Sequence, residues 1–165
     1  MRRYLLVGAA VGILFVGACG PLGQRPDLVA SGFVPIGQPT VNAQGAVEVP
    51  ARVVVRNQGG ASAGPSKVSV EFTGLPGDPD AEIVVPFTVE GQRSPWFPHT
   101  GSIEESGTVN LDGKIVFHPN LHGVRLTVTA TADSCTGEPN AEDQCRVKES
   151  DETNNQSTAV PVSLP

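Results

Sequence analysis

The chain has 165 residues, with 17 acidic against 11 basic side chains and a formal net charge of −6. That length suits one domain with a real core, and the acidic balance argues against nucleic acid and against adhesion to anionic lipid by charge. The chain combines 19 glycines and 15 prolines with only 5% aromatic residues, which leaves low-complexity disorder or an all-β domain rich in turns.

Residues 1–18 read as an address. Arg2 and Arg3 give a positive start, Tyr4 to Phe15 form a short apolar run, and "VGAC" (Val16 to Cys19) closes it. The run is too short to span a bilayer as a helix, and small residues at its end fit a secretory signal. A cysteine directly after Gly17 and Ala18 resembles the bacterial lipoprotein signal, although Val16 stands where leucine is commonest. The resemblance implies lipidation of Cys19 and a mature chain that begins there. An ordinary cleaved signal or an uncleaved anchor are the alternatives. Losing Arg2 and Arg3 takes the charge from −6 to −8. Residues 19–26 then form a tether that reaches at most about 25 Å when extended. Gly20 follows the cysteine where an aspartate would retain the protein at the inner membrane, so the outer membrane, on either its periplasmic or its surface face, is the expected location.

From residue 27 to 165 the pattern is one of strands. "DLVASGFVPI" opens it at Asp27. In "AVEVPARVVVRNQG" (Ala46 to Gly59), Val47, Val49, Ala51, Val53 and Val55 alternate with Glu48, Pro50, Arg52, Val54 and Arg56, so one face is core. Asn57 to Gly60 are turn residues. Val68, Val70 and Phe72 alternate with Lys67, Ser69 and Glu71. "AEIVVPFTVEG" carries Pro86, which points to an edge or a bulge. "GTVNLDGKIVFHP" predicts a hairpin about Asp112-Gly113. Val124, Leu126, Val128, Ala130 and Ala132 form another inward set, and "QSTAVPVSLP" closes the chain. About seven short strands with frequent turns predict an immunoglobulin-like antiparallel β-sandwich. In an exported protein Cys135 and Cys145 are expected to form a disulfide, with a two-thiolate metal site as the alternative.

The layout "PDLVASGFVP … VEVPARVVVRNQGGASAGPSKVSVEF … VRLTVTATAD … VKESDETNNQSTAVPVSL" resembles the CARDB module, the cell-adhesion-related domain found in bacteria. The resemblance rests on Asp27-Leu28-Val29, on Asn57-Gln58-Gly59, and on the segment from Glu149 to Asn155, and it covers nearly all of the chain after Arg25. The middle, residues 77–106, is longer than the pattern needs, and the loop between the two later cysteines is an insertion. The family implies an immunoglobulin-like, non-catalytic extracytoplasmic module and transfers no binding residues.

Several constellations invite a functional reading. Asp133, Glu138, Glu142, Asp143, Glu149, Asp151 and Glu152 fall within twenty residues, opposed by Arg146 and Lys148. Asp143, Glu149, Asp151 and Glu152 are therefore calcium candidates, yet they lack EF-hand spacing and charge runs are ordinarily solvated. The rival reading is geometric. Val147 plugs the core, Asp151 makes an Asx-type turn, and Asn154 or Asn155 takes the left-handed region. Trp96 and Phe97, in a proline-bounded loop, are contact residues for a protein or sugar if exposed, and otherwise cap the sandwich. His118 and His122 are four apart, but Pro119-Asn120 between them predicts a turn rather than a metal-binding helix face. Glu104 and Glu105 are adjacent and face opposite sides of a strand. No nucleophile elbow, zinc helix or phosphate loop occurs in the sequence, so the chain reads as no enzyme and needs no cofactor. The function expected is adhesion or protein–protein assembly at the cell envelope, with the membrane reached through the lipid. A calcium- or glycan-binding module is the alternative.

Overall fold

The computed structural model describes residues 24–77, 83–92, 98–134 and 147–165. The lipidation reading of Cys19, the contact reading of Trp96 and Phe97, the disulfide of Cys135 and Cys145, and the calcium reading of Asp143 all fall on residues outside that set. The strands in chain order are β1 (Leu28–Pro35), β2 (Thr40–Val41), β3 (Val47–Asn57), β4 (Val68–Thr73), β5 (Ile83–Val89), β6 (Thr108–Phe117), β7 (Arg125–Ala132) and β8 (Val160–Ser163). A 3-10 turn, Pro119–Leu121, joins β6 to β7.

Among the described residues all strand pairings are antiparallel and fall into two sheets, β1-β3-β6-β5 and β4-β7-β8, with the two-residue β2 added to β3. Leaving β2 aside and lettering the strands A to G, the order is ABED against CFG. That is the constant-type immunoglobulin arrangement. The alternation that predicts β3 is the one observed: Val47, Val49, Ala51, Val53 and Val55 are fully buried. From the other sheet Leu126, Val128, Ala130 and Ala132 meet them in one core.

Aromatic pairs join the layers and the edges. Phe72 on β4 meets Phe117 on β6 edge to face, with ring centroids 5.5 Å apart. Phe33 and Phe87 come from β1 and β5, the opposite edges of one sheet, yet their centroids are 6.5 Å apart. They can approach because Ala51 and Gly113, paired across β3 and β6, leave a low floor between them.

Gly113 also marks a place where the sequence misleads. The Asp112-Gly113 dipeptide lies in the middle of the unbroken strand β6, and no hairpin forms there. A Cβ on Gly113 would collide with the Thr88 carbonyl and press on the Phe87 ring, so glycine admits β5 at close range. Asp112 pairs with Arg52 across the sheet, with Nε–Oδ1 at 2.5 Å and Nη2–Oδ2 at 2.7 Å. The expectation for Pro86 is met: β5 is an edge strand, and its register with β6 shifts between Val85 and Thr88.

One pole of the sandwich gathers the start of β1, the end of β3, and the starts of β4 and β6. Leu28 pairs with Asn57, Arg56 with Thr108, and Val68 with the end of β7 at Ala132. The acidic segment between β7 and β8 returns to this same pole.

Candidate functional site

The pole is organised by polar side chains that the sheets bury. Asn57, the last residue of β3, is fully buried. Its Oδ1 accepts the N–H groups of Asp27 and Gly59, each at 3.1 Å. Its Nδ2 donates to the carbonyls of Ala61 at 2.7 Å, Glu104 at 3.1 Å and Ile103 at 3.2 Å. A residue read from sequence as punctuation is therefore a hub that satisfies three loops at once. Gly59 beside it has no alternative, because a Cβ there would strike the backbone of Arg25, Pro26 and Asp27.

The acidic segment docks against β1. The Ser150 N–H donates to the Pro26 carbonyl at 2.9 Å, the Leu28 N–H to Glu149 Oε2 at 2.6 Å, and the Ala30 N–H to the Asn155 carbonyl at 3.2 Å. Successive outward backbone groups of an edge strand are thus covered in turn, which is how natural sheets blunt an open edge. The Asn155 carbonyl also accepts from the Ala132 N–H at 3.0 Å, so one residue ties β1 of the first sheet to β7 of the second. Asn154 Nδ2 reaches Asp27 Oδ1 at 3.0 Å, and Asn155 Nδ2 reaches Glu149 Oε1 at 3.1 Å.

Two of the acids are buried, against the expectation of a solvated run. Glu149 is 2% exposed and Asp133 is 8% exposed. Asp133 Oδ2 accepts the Val147 N–H at 3.2 Å, and carboxyl oxygens of Asp133 and Glu149 lie within 4.8 Å of each other. The exposed Glu152 completes a trio with oxygens within 4.8 Å of one another, and its Oε1 accepts the Glu149 N–H at 2.9 Å. Burial, then the like charges of Asp133 and Glu152, pushes the Glu149 carboxyl up to about 7. Burial, with Glu152 adding to it, pushes Asp133 up to about 6. Two buried carboxyls this close cannot both be ionised cheaply, which favours a proton on one of them.

The geometric readings of this segment largely hold. Val147 lies in the core at 7% exposure. Asp151 Oδ1 accepts the Thr153 N–H at 2.9 Å and its hydroxyl at 2.7 Å, an Asx turn, and those bonds hold the Asp151 carboxyl below the usual range. The left-handed residue is misplaced, however. Among the described residues other than glycine, the positive φ falls on Asp133, at 46°, and on Ser106, at 59°, not on Asn154 or Asn155. Both asparagines are instead drawn into hydrogen bonds with the start of β1, with Glu149 and with the end of β7.

Of the four calcium candidates, Glu149 and Glu152 come together, joined by Asp133, while Asp151 is occupied within its own turn. Both Glu149 oxygens and Asp133 Oδ2 accept from protein donors.

The remaining candidates separate. His118 caps the 3-10 turn and bonds Asn120, whereas His122 bridges the carbonyls of Pro165 and Gly45, each at 3.1 Å. The predicted turn between them is present, and it splits them as a pair. Glu104 Oε2 accepts the Ser62 hydroxyl at 2.7 Å.

Sequence reasoning missed the role of Asn57 and the burial of Glu149 and Asp133, because their partners lie up to 121 residues away. The one visible signal was the density of amides beside acids in residues 149–155. Compared with protein-family models, with curated proteins and with solved structures, the chain matches none of them.

Proposed function

We propose that the chain is a non-catalytic envelope lipoprotein whose immunoglobulin-like, CARDB-like domain makes protein–protein contacts at the cell envelope. Cys19 carries the lipid in this reading, and the tether of residues 19–26 keeps the domain close to the membrane. The observation that carries the contact role lies on the outer face of the larger sheet. Val34 at the β1 edge and Ile36 just beyond it are each 47% exposed. Ile36 borders an open cavity of about 380 Å³, which Pro50, Thr88, Gly113 and Lys114 also line. Apolar side chains at a sheet edge, rimmed by the ion pairs Arg52–Asp112 and Lys114–Glu48, suit a partner that adds a strand or lays an apolar side chain into the hollow.

The test is a photo-crosslinking residue at position 34, compared in intact cells with the same residue at position 71 on the opposite sheet. A discrete adduct from position 34 alone, lost when Ile36→Asp is added, supports the reading. Equal yields from both positions, or none from either, overturn it. The anchor is tested separately: Cys19→Ser should move the protein from the membrane to the soluble fraction.

A further inference from the structure

Asp133 and the segment from Val147 to Asn155 do more than close the end of the sandwich, because the groups they use are themselves ionisable. Glu149 holds the first outward N–H of β1, at Leu28, and orients Asn155, whose carbonyl holds the next, at Ala30. Ser150 and Asn154 hold Pro26 and Asp27, the stretch by which the chain enters the sandwich. All four attachments hang on a short segment whose anchor is a carboxyl with a second buried carboxyl within 4.8 Å.

We propose that the Asp133–Glu149 pair is a proton-operated clasp. While it keeps its shared proton, the segment stays locked onto β1 and onto residues 26–27, and losing that proton loosens both.

The electrostatics around the pair favour this behaviour. Glu152 faces it from the same segment and repels any charge on either member. Asp151 is turned away into its own Asx turn. From the start of β1, Asp27 adds a further carboxylate, bonded to Asn154 and to Gln58. Just before β4, Lys67 reaches this region through its backbone carbonyl, which accepts the Ser134 N–H at 3.1 Å.

The sign follows from linkage. Both acids are raised above their ordinary values, to about 6 and about 7, so between ordinary carboxylate pKa and neutrality the unfolded chain binds fewer protons than the folded one. The clasp is therefore tightest in mild acid, weakens as pH rises through about 6 to 7, and gains nothing further below the ordinary carboxylate range. The consequence is a pH-dependent grip on the incoming chain. At neutral to alkaline pH the outward N–H groups of Leu28 and Ala30 become available and residues 26–27 lose their bonds to Ser150 and Asn154, while Asn57 and Gln58 keep Asp27 on the sandwich. In acid they are sealed.

Carbon-detected titration of the side-chain carboxyls in the full-length chain tests this on the unaltered protein. Two coupled transitions displaced upward, assigned to Asp133 and Glu149, are expected, and ordinary transitions for both overturn the proposal. A melt series tests the consequence: from about pH 5 to about pH 8 the wild type should lose roughly 5–10 °C, while Glu149→Gln, which keeps an acceptor for Leu28 but no charge, should lose far less. Asp133→Asn provides the same comparison should Glu149→Gln fold poorly. Parallel losses in wild type and both variants would overturn the clasp.

Discussion

Glu149 and Leu28 stand 121 residues apart in the sequence, yet the carboxyl Oε2 of one accepts the backbone N–H of the other at 2.6 Å. A side chain thus does the work of a neighbouring strand for the first residue of β1. Glu149→Ala removes that acceptor and one partner of the half-buried Asn155 Nδ2 together, leaving the Leu28 N–H without its bond. The expected loss is about 2–4 kcal/mol in urea unfolding, with Glu149→Gln losing less than half of that at neutral pH.

Asn57→Ala should be at least as damaging, because five backbone groups from three loops each lose a hydrogen bond in one step. A cost of about 3 kcal/mol or more in chemical denaturation is expected. Asn57→Asp keeps the acceptor for Asp27 and Gly59 but cannot donate to three carbonyls, so it should not rescue. Near-wild-type stability of either variant would contradict the hub.

Neighbouring residues of β6 should behave oppositely. Gly113→Ala drives a methyl into the Thr88 carbonyl and the Phe87 ring, and a loss of about 2 kcal/mol or more is expected. Asp112→Asn breaks an ion pair whose members are 38% and 48% exposed, and a urea midpoint close to wild type is expected. Urea midpoints of the two variants decide the contrast.

The trio of Asp133, Glu149 and Glu152 separates a proton from a cation by experiment. With the pair holding a proton, melting in EDTA and in millimolar calcium should coincide at mildly acidic pH. A calcium-dependent rise of several degrees would reassign the trio as a cation site and remove the proton clasp with it.

What the sequence made legible was whatever repeats every second residue. Val47 to Val55 and Leu126 to Ala132 announce their buried faces because a strand places alternate side chains on one side, and enough such runs imply two layers. Asp112-Gly113 misled because the dipeptide signals a turn only where the backbone adopts positive φ. Here the glycine answers a different demand, the close approach of β5, which no local pattern encodes. The amides and acids of residues 149–155 were legible as turn formers, and Asp151 is one. That Glu149 is buried against β1 was not legible, since burial there depends on how two sheets close over a pole. The left-handed residue fell on Asp133, where β7 ends, for the same reason: the asparagines were already committed to the two sheets.

The seating of the acidic segment on β1 underlies both the pole and the clasp, and amide exchange measures it directly. In mild acid the N–H groups of Leu28, Ala30 and Ala132 should be protected nearly as strongly as those in the middle of β3. If Leu28 and Ala30 exchange at the rate of an open edge while Ala132 stays protected, the segment is not docked on the first sheet, and the clasp does not exist.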